Sequence, residues 1–328
     1  MKIFSRENVL GLDIGFETLK LVELERNKKD VFLVGSIEIP LKDRILLKDK
    51  FKDKTGTANL IKEACRKAKP YPIKARRIVS ALPETFVFSK TIQMPKMSEE
   101  EYKNAVPIEA AQYLPIPVEE VYIDYQILIV HPDEPLVDIL VVASPKKLVD
   151  DYVEMTKIAG LELAALETKP IAVGRAVAAS SVINGTIIAE IGTELTRISI
   201  WDNNSIRLIS SVSTGKNQII ESMGLIQGAT NDEPNADKAD QNVCLAISNI
   251  SNEIINAIKY HQNRDYNPKP ITKLLLCGTG SAIPGVSEIL SLQTKIEAEV
   301  VSPRLNGKDK LGTNFITAYG LALRNELE

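Results

Sequence analysis

Hydrophobic and polar residues follow nearly the same pattern in two separate stretches of the chain, Gly11–Leu24 and Ile188–Trp201. Each stretch has an apolar run, a turn of the form acid-x-Gly, a few polar residues and a second run of alternating polarity. Alternation on either side of such a turn predicts a β-hairpin. Because the same hairpin occurs once in each half of the chain, the sequence predicts a duplicated fold.

The tips of the two hairpins carry residues that suit a phosphate group. Aligned without a gap, Asp13 falls on Glu190 and Gly15 falls on Gly192. Glycine lacks a Cβ atom, so backbone N–H groups can come close to a phosphate. An acid would repel a bare phosphate, so Asp13 and Glu190 are predicted to contact a metal ion through water. An ordinary hairpin turn also uses glycine and aspartate, but the recurrence favours two tips that face each other across an interlobe cleft.

Other residues extend this candidate site. Thr18 and Thr193 offer hydroxyls, and Lys20 adds charge if its side chain turns inward. A third glycine turn, Cys277–Ser281, follows a predicted strand, and its N–H groups can face a base, a ribose or an α-phosphate. A plain strand-to-helix loop is the open alternative for this turn. The predicted nucleotide-binding residues are Asp13, Gly15, Thr18, Lys20, Glu190, Gly192, Thr193, Gly215, Lys216, Gly278, Thr279 and Gly280, with Glu253 as a weaker candidate.

Composition narrows the class of protein. The length of 328 residues suggests two domains. A net charge of −3 and an aromatic content of 5% argue against nucleic-acid binding. Three widely spaced cysteines indicate a reducing compartment. No stretch approaches the roughly 20 apolar residues that span a bilayer, and Met1–Asn8 lacks the core of a signal peptide. We therefore expect a cytoplasmic protein that reaches a membrane only through partners.

A block between the two hairpins looks inserted. Its order of strand, helix, strand and strand predicts a small α+β subdomain. Ser98 opens the helix of this block with a capping box, and Pro107 is expected to bend or interrupt that helix. The expected domains are a first lobe of residues 1–72 plus 161–182, an insert of residues 73–160, and a second lobe of residues 183–328 with a reduced subdomain at about 217–255.

Two further helices and a loop are predicted from polarity. Asn59–Lys69 has apolar residues on one side, as in a surface helix. Gly228–Gln241 is polar and is expected to form a surface loop. Asn242–Arg264 is predicted as a long amphipathic helix, with Leu245 and Ile247 on its apolar side.

The order and spacing of the two hairpins and the glycine turn resemble the actin-like ATPase superfamily, which includes actin, Hsp70, sugar kinases, FtsA and PilM. In that superfamily the hairpins correspond to two phosphate segments and the glycine turn to the adenosine segment. The resemblance spans nearly all of the chain. It implies an α/β fold of the duplicated ribonuclease H-like type, with two lobes, an inserted SHS2-like α+β subdomain, and ATP with Mg²⁺ as cofactor.

Residues of the insert narrow the resemblance to the PilM family. They are Ala81-Leu82-Pro83, Met94–Glu101 and Ile108–Val121, followed by Asp124-Tyr125. The resemblance implies a cytoplasmic ATP-binding scaffold of type IV pilus assembly. Such a scaffold docks the cytoplasmic N-terminal tail of a PilN-type inner-membrane protein through the face near the insert, and so lies at the inner face of the membrane. Other pilus assembly components and a second copy of the chain are further implied partners.

Departures from the family pattern bear on activity. Phe16 and Glu17 stand where relatives carry small serine or threonine residues, Glu190 replaces an aspartate, and Thr279 stands where glycine is common. We therefore expect nucleotide binding with weak or no ATPase activity, and the sequence nominates no catalytic residue.

Two other functions stay open on the sequence alone. One is an actin-like ATPase or small-molecule kinase, and the other is an FtsA-like filament-forming protein. FtsA proteins usually end in an amphipathic membrane-binding helix, whereas Leu321–Glu328 is short and acidic.

Four residues of the insert are candidates for partner recognition if they are exposed. They are Tyr113, Pro115, Pro117 and Tyr125. Packing within the core of the insert is the favoured alternative for the two tyrosines.

Overall fold

The computed structural model divides the chain into two compact units. Unit 1 comprises Met1–Ala172 and Ala318–Glu328, and unit 2 comprises Val173–Thr317. The structure describes residues 8–27, 30–47, 50–130, 135–179, 183–223, 236–264 and 269–324. Three sequence predictions fall partly outside these ranges, namely those for Met1–Asn8, Gly228–Gln241 and Leu321–Glu328.

Strands and helices alternate along most of the chain. The strands are β1 (Val9–Ile14), β2 (Thr18–Asn27), β3 (Asp30–Pro40), β4 (Leu46–Leu47), β5 (Lys50–Phe51), β6 (Lys69–Pro70), β7 (Arg77–Leu82), β8 (Phe88–Pro95), β9 (Val121–Val130), β10 (Leu136–Pro145), β11 (Glu162–Thr168), β12 (Thr186–Ile191), β13 (Thr196–Asp202), β14 (Ser205–Val212), β15 (Lys273–Cys277) and β16 (Ala298–Val300). The helices are α1 (Lys54–Lys67), α2 (Glu99–Ala111), α3 (Lys146–Ile158), α4 (Lys169–Ala178), α5 (Lys216–Ser222), α6 (Ala236–Arg264), α7 (Val286–Thr294) and α8 (Ile316–Ala322). Within the described ranges, none of these helices combines the length and the apolarity that crossing a membrane requires.

Unit 1 is built on a six-stranded sheet in the order β11-β7-β1-β2-β3-β6. Strands β1, β2 and β3 are antiparallel neighbours, whereas β7 is parallel to β1 and β11 is parallel to β7. Helices α1 and α3 cover one face of this sheet. Leu10 and Leu12 of β1, Ile61 of α1 and Tyr152 of α3 are fully buried in the core between sheet and helices.

Unit 2 repeats the arrangement of the first five of these six strands. Its sheet has the order β14-β13-β12-β15-β16. Strands β12, β13 and β14 are antiparallel, and β15 and β16 continue in parallel. Ile187 of β12, Ile250 of α6 and Leu290 of α7 are fully buried in the corresponding core. The duplication that the two hairpins predicted is confirmed.

The inserted segment forms a sheet of its own. Strands β8, β10 and β9 pair in that order, so β8 and β9 are both edge strands. Helix α2 covers one face, where Tyr102 and Val106 pack against Ile139. The domain boundaries expected from the sequence stay a prediction. The parallel pairing of β7 with β1 favours an insert narrower than residues 73–160, because β7 belongs to the sheet of unit 1.

Some local predictions are confirmed and others are wrong. Ser98 caps α2 in a capping box with Glu101. The same helix runs uninterrupted through Pro107, so the expected interruption is wrong. Helix α1 starts at Lys54 rather than at residue 59, because the Asp53 side chain caps it.

The prediction for the long helix of unit 2 also needs two corrections. Helix α6 begins at Ala236, so the later part of the predicted surface loop is helical. Leu245 does not lie on the buried side of α6, because 67% of it is exposed.

Candidate functional site

The first hairpin tip joins β1 to β2 and is held by short polar contacts. The backbone N–H of Gly15 donates to the carbonyl oxygen of Thr18 at 2.8 Å and closes the turn. The Lys20 side chain is buried and does turn inward. Its Nζ donates to Oγ1 of Thr18 at 2.6 Å and forms an ion pair with Glu38 at 3.3 Å. The tip therefore carries a lysine whose charge is already balanced by an acid.

Asp13 forms a buried ion pair at the base of this tip. Its Oδ1 lies 2.6 Å from Nζ of Lys169, and each side chain is only 6% exposed. Lys169 is the first residue of α4 and lies 156 positions away in the chain, so no local sequence pattern predicts the pair. Burial raises the pKa of Tyr152 well above its usual range, and the charge of Asp13 adds to this shift. The Asp13 carboxylate is thus a buried charge that an internal ammonium neutralises.

The second tip joins β12 to β13 and has the same turn. The N–H of Gly192 donates to the carbonyl oxygen of Leu195 at 3.0 Å. Both carboxylate oxygens of Glu190 are engaged. Oε2 lies 3.2 Å from Nη1 of Arg197, and Oε1 accepts from Oγ1 of Thr317 at 2.8 Å. Glu190 is therefore a second buried acid with its own basic partner.

The two copies of the hairpin differ in which acid their basic residue meets. Lys20 lies opposite Glu38 on β3, and Arg197 lies opposite Ser211 on β14. Because β14 offers no acid at that position, Arg197 turns to Glu190. Asp13 is instead neutralised from the start of α4. Each buried acid contacts a residue at the start of a helix, Asp13 through Lys169 of α4 and Glu190 through Thr317 of α8.

The start of α5 braces the second tip through the main chain. The N–H of Lys216 donates to the carbonyl of Gly192 at 2.8 Å, and the N–H of Asn217 donates to that of Thr193 at 3.0 Å. A Cβ atom at Gly215 would lie 2.7 Å from the backbone nitrogen of Glu194. Gly215 is therefore required by close approach of the two backbones, whether or not a ligand binds.

The third glycine turn packs on the end of β12. Gly278 has a φ of +86°, and a Cβ atom there would lie 2.6 Å from the carbonyl oxygen of Ile191. The N–H of Gly280 donates to that same oxygen at 2.8 Å. Oγ1 of Thr279 is buried and has no hydrogen-bond partner among the described residues. Packing against β12 is thus sufficient reason for both glycines.

The structure gathers the predicted residues into two groups, one in each unit. Asp13, Gly15, Thr18 and Lys20 lie around the end of β1 in unit 1. The group at the end of β12 in unit 2 consists of Glu190, Gly192, Thr193, Gly215, Lys216, Gly278, Thr279 and Gly280. Glu253 joins neither group, since its carboxylate accepts a hydrogen bond from Ser210. The sequence missed Lys169, Arg197, Glu38 and Thr317, which complete the polar contacts of the two groups.

The two acids do not fit a divalent cation in this arrangement. Asp13 and Glu190 are both buried and both paired with a base. Over the ranges that the structure describes, no group of three or more histidine, cysteine or acidic side chains could hold a metal ion. A metal-bound water would have to compete with Lys169 or Arg197 for these buried carboxylates.

Comparisons with known proteins identify the fold and the family. The family described as type IV pilus assembly protein PilM matches residues 11–326. A chain of a solved PilM–PilN type IV pilus biogenesis complex is 23% identical with a TM-score of 0.82, and the match covers 98% of this chain and 100% of that one.

Two more distant structures share the fold. The ethanolamine utilization protein EutJ from Carboxydothermus hydrogenoformans is 15% identical with a TM-score of 0.56, over 96% of this chain and 88% of EutJ. A Bacteroides thetaiotaomicron protein with an actin-like ATPase fold and unknown function is 11% identical with a TM-score of 0.51, over 99% of this chain and 100% of that protein. The predicted actin-like ATPase fold is confirmed, and the chain belongs to the PilM family of type IV pilus assembly proteins.

Proposed function

We propose that this chain is a scaffold of type IV pilus assembly that docks the cytoplasmic N-terminal tail of a PilN-type inner-membrane protein. The observation that carries the proposal is the family match over residues 11–326, which includes the whole inserted sheet. The structure with a TM-score of 0.82 belongs to a PilM–PilN complex, and this supports the same partner here. The protein would then be cytoplasmic and lie at the inner face of the membrane through its partner.

The inserted sheet offers suitable surfaces for an extended tail. Strands β8 and β9 are edge strands, and an extended peptide can bind by adding a strand to such an edge. Tyr113 is 40% exposed, and Lys90 lies 3.3 Å from the centre of its ring. Pro115 and Pro117 are also exposed. These three residues support a docking surface on the insert, and the favoured alternative of core packing is wrong for Tyr113.

Tyr125 is a weaker candidate for recognition. Its ring packs against the core of the insert and lies 6.3 Å from the ring of Tyr102. Core packing, the alternative favoured from the sequence, is therefore confirmed for this tyrosine.

A nucleotide completes the proposed function. ATP is the proposed ligand, supported by the actin-like fold and by the hydroxyls of Thr18 in unit 1 and Thr193 in unit 2. The N–H groups of Gly15 and Gly192 already donate within their turns, so hydroxyls and other groups of the tips would make more of the phosphate contacts. Weak or absent hydrolysis follows, because the acids expected to orient a metal-bound water are paired with bases. Other pilus components and a second copy of the chain remain further proposed partners.

Peptide binding tests the docking proposal. The purified full chain is titrated calorimetrically with a PilN-type N-terminal peptide and with a scrambled peptide, each with and without ATP. We expect binding of the native peptide alone. Tyr113→Ala should weaken it about tenfold, or about 1.4 kcal/mol, while Tyr71→Ala, at an exposed tyrosine outside the insert, should not. Absence of binding in both conditions would overturn the proposal, and steady phosphate release lost in Asp13→Ala would favour an enzyme.

A further inference from the structure

We propose that Lys169 and Arg197 engage the two acids expected to serve a divalent cation, Asp13 in unit 1 and Glu190 in unit 2, so that nucleotide binding by this chain does not depend on Mg²⁺. The inference rests on the proposed nucleotide binding. It is carried by the two buried ion pairs, one in each unit, that engage the acids otherwise expected to serve a metal.

The pair in unit 1 leaves little opportunity for a cation at Asp13. Nζ of Lys169 lies 2.6 Å from Oδ1, and both side chains are 94% removed from solvent. A metal ion would have to displace this ammonium and leave it buried without its partner. Breaking a buried ion pair by removing one partner costs about 3–5 kcal/mol, and Mg²⁺ also gives up its own water reluctantly. Both costs oppose a divalent cation at this position.

The ion pair in unit 2 opposes a divalent cation at Glu190 in the same way, but with different partners. Oε2 of Glu190 lies 3.2 Å from Arg197, and Oε1 accepts the hydroxyl of Thr317 at 2.8 Å. Both carboxylate oxygens already accept a contact, so a metal-bound water would have to compete with Arg197 and Thr317 for this buried group.

Each acid at the tips already has a basic partner. In unit 1, Asp13 is balanced by Lys169, and Lys20 is balanced by Glu38. In unit 2, Glu190 is balanced by Arg197. The acids therefore do not present an uncompensated negative charge to an approaching phosphate. The ligand class that we infer is a nucleotide that needs no metal held by these acids, with the hydroxyls of Thr18 and Thr193 among its phosphate contacts.

A metal-depletion titration tests the inference on the unmodified chain. The full chain is titrated with ATP in Mg²⁺ and again in EDTA. We expect dissociation constants that agree within about threefold, which is under 1 kcal/mol. Loss of binding by more than about tenfold in EDTA would overturn the inference and leave the proposed nucleotide binding intact. Absence of binding in both conditions would overturn both, while the docking of the PilN-type peptide is measured separately.

Variants at Lys169 test whether loss of the ammonium makes ATP binding depend on Mg²⁺. Lys169→Met removes the ammonium and should create metal dependence, with ATP binding about tenfold weaker in EDTA than in Mg²⁺. Lys169→Arg keeps the charge and should remain metal-independent, which keeps the test valid if the methionine variant folds poorly. Lys54→Met is the matched control, because Lys54 also pairs with a partly buried acid of unit 1, Asp151 at 3.0 Å. Metal-independent binding by Lys169→Met, or metal dependence in Lys54→Met, would contradict the assigned role.

Discussion

Removal of the basic partner of Glu190 should destabilise unit 2 strongly. In Arg197→Met, Glu190 loses its basic partner, keeps the hydrogen bond from Thr317 and remains a buried charge. The side chains of Arg197 and Glu190 are 8% and 10% exposed, so solvent can compensate little. Breaking a buried pair in this way costs about 3–5 kcal/mol of unfolding free energy.

The single tryptophan of the chain reports on this change. Trp201 lies on β13 and is 6% exposed, so its fluorescence follows the unfolding of unit 2 in urea. With an m-value of about 2 kcal/mol per molar, the expected loss lowers the urea midpoint by about 2 M. A fluorescence transition that keeps its steepness while it shifts would confirm a change in stability rather than in compactness.

The double variant Glu190→Gln with Arg197→Met separates the buried charge from lost packing. It removes both charges, and replacement of a buried ion pair by neutral groups is often close to neutral in stability. We expect recovery of most of the lost midpoint. A single variant that shifts the midpoint by less than about 0.5 M, or a double variant that is no more stable than the single one, would refute the reasoning.

Three further outcomes are expected. Gly278→Ala should lower the urea midpoint more than Gly280→Ala, because the first adds the strain of a positive φ to a clash with backbone, whereas the second clashes with the Ile191 side chain without that strain. Ser98→Ala removes the cap of α2 and should cost about 1 kcal/mol, seen as about fivefold faster amide exchange in the first turn; an unchanged rate would contradict the cap. A thiol reagent should modify exposed Cys244 first. Burial raises the pKa of Cys65 to about 11, so near pH 8 about one molecule in a thousand carries its thiolate, and its labelling rate should rise about tenfold per pH unit; equal rates for the two thiols would count against this.

The duplicated architecture could be predicted from the sequence because its signal is local. Two-residue alternation on either side of Gly15 and Gly192 marks each hairpin, and the recurrence marks the second half as a copy. The ion pairs that define the site have no such signal. Asp13 and Lys169 meet only because α4 begins at the end of β11. The partner of Arg197 depends on Ser211, which lies on a different strand.

Two predictions about helices are wrong because they were based on local sequence and not on helix geometry and tertiary packing. Pro107 lacks an N–H group and can end a helix, but α2 continues because Tyr102 and Val106 anchor its buried face to the inserted sheet. The sequence prediction places Leu245 and Ile247 on the same side of the helix because both are apolar. Residues two apart on a helix point to different sides, so Ile247 is buried and Leu245 is exposed.

The attachment of the second hairpin tip to α5 indicates which positions in related sequences would report on ligand binding. The backbone N–H groups of Lys216 and Asn217 hold the carbonyls of Gly192 and Thr193. These bonds do not depend on side-chain identity at positions 193 and 216, so those side chains can change without loosening these bonds. Invariance at positions 193 and 216 across an alignment would accordingly point to selection for a ligand rather than for folding.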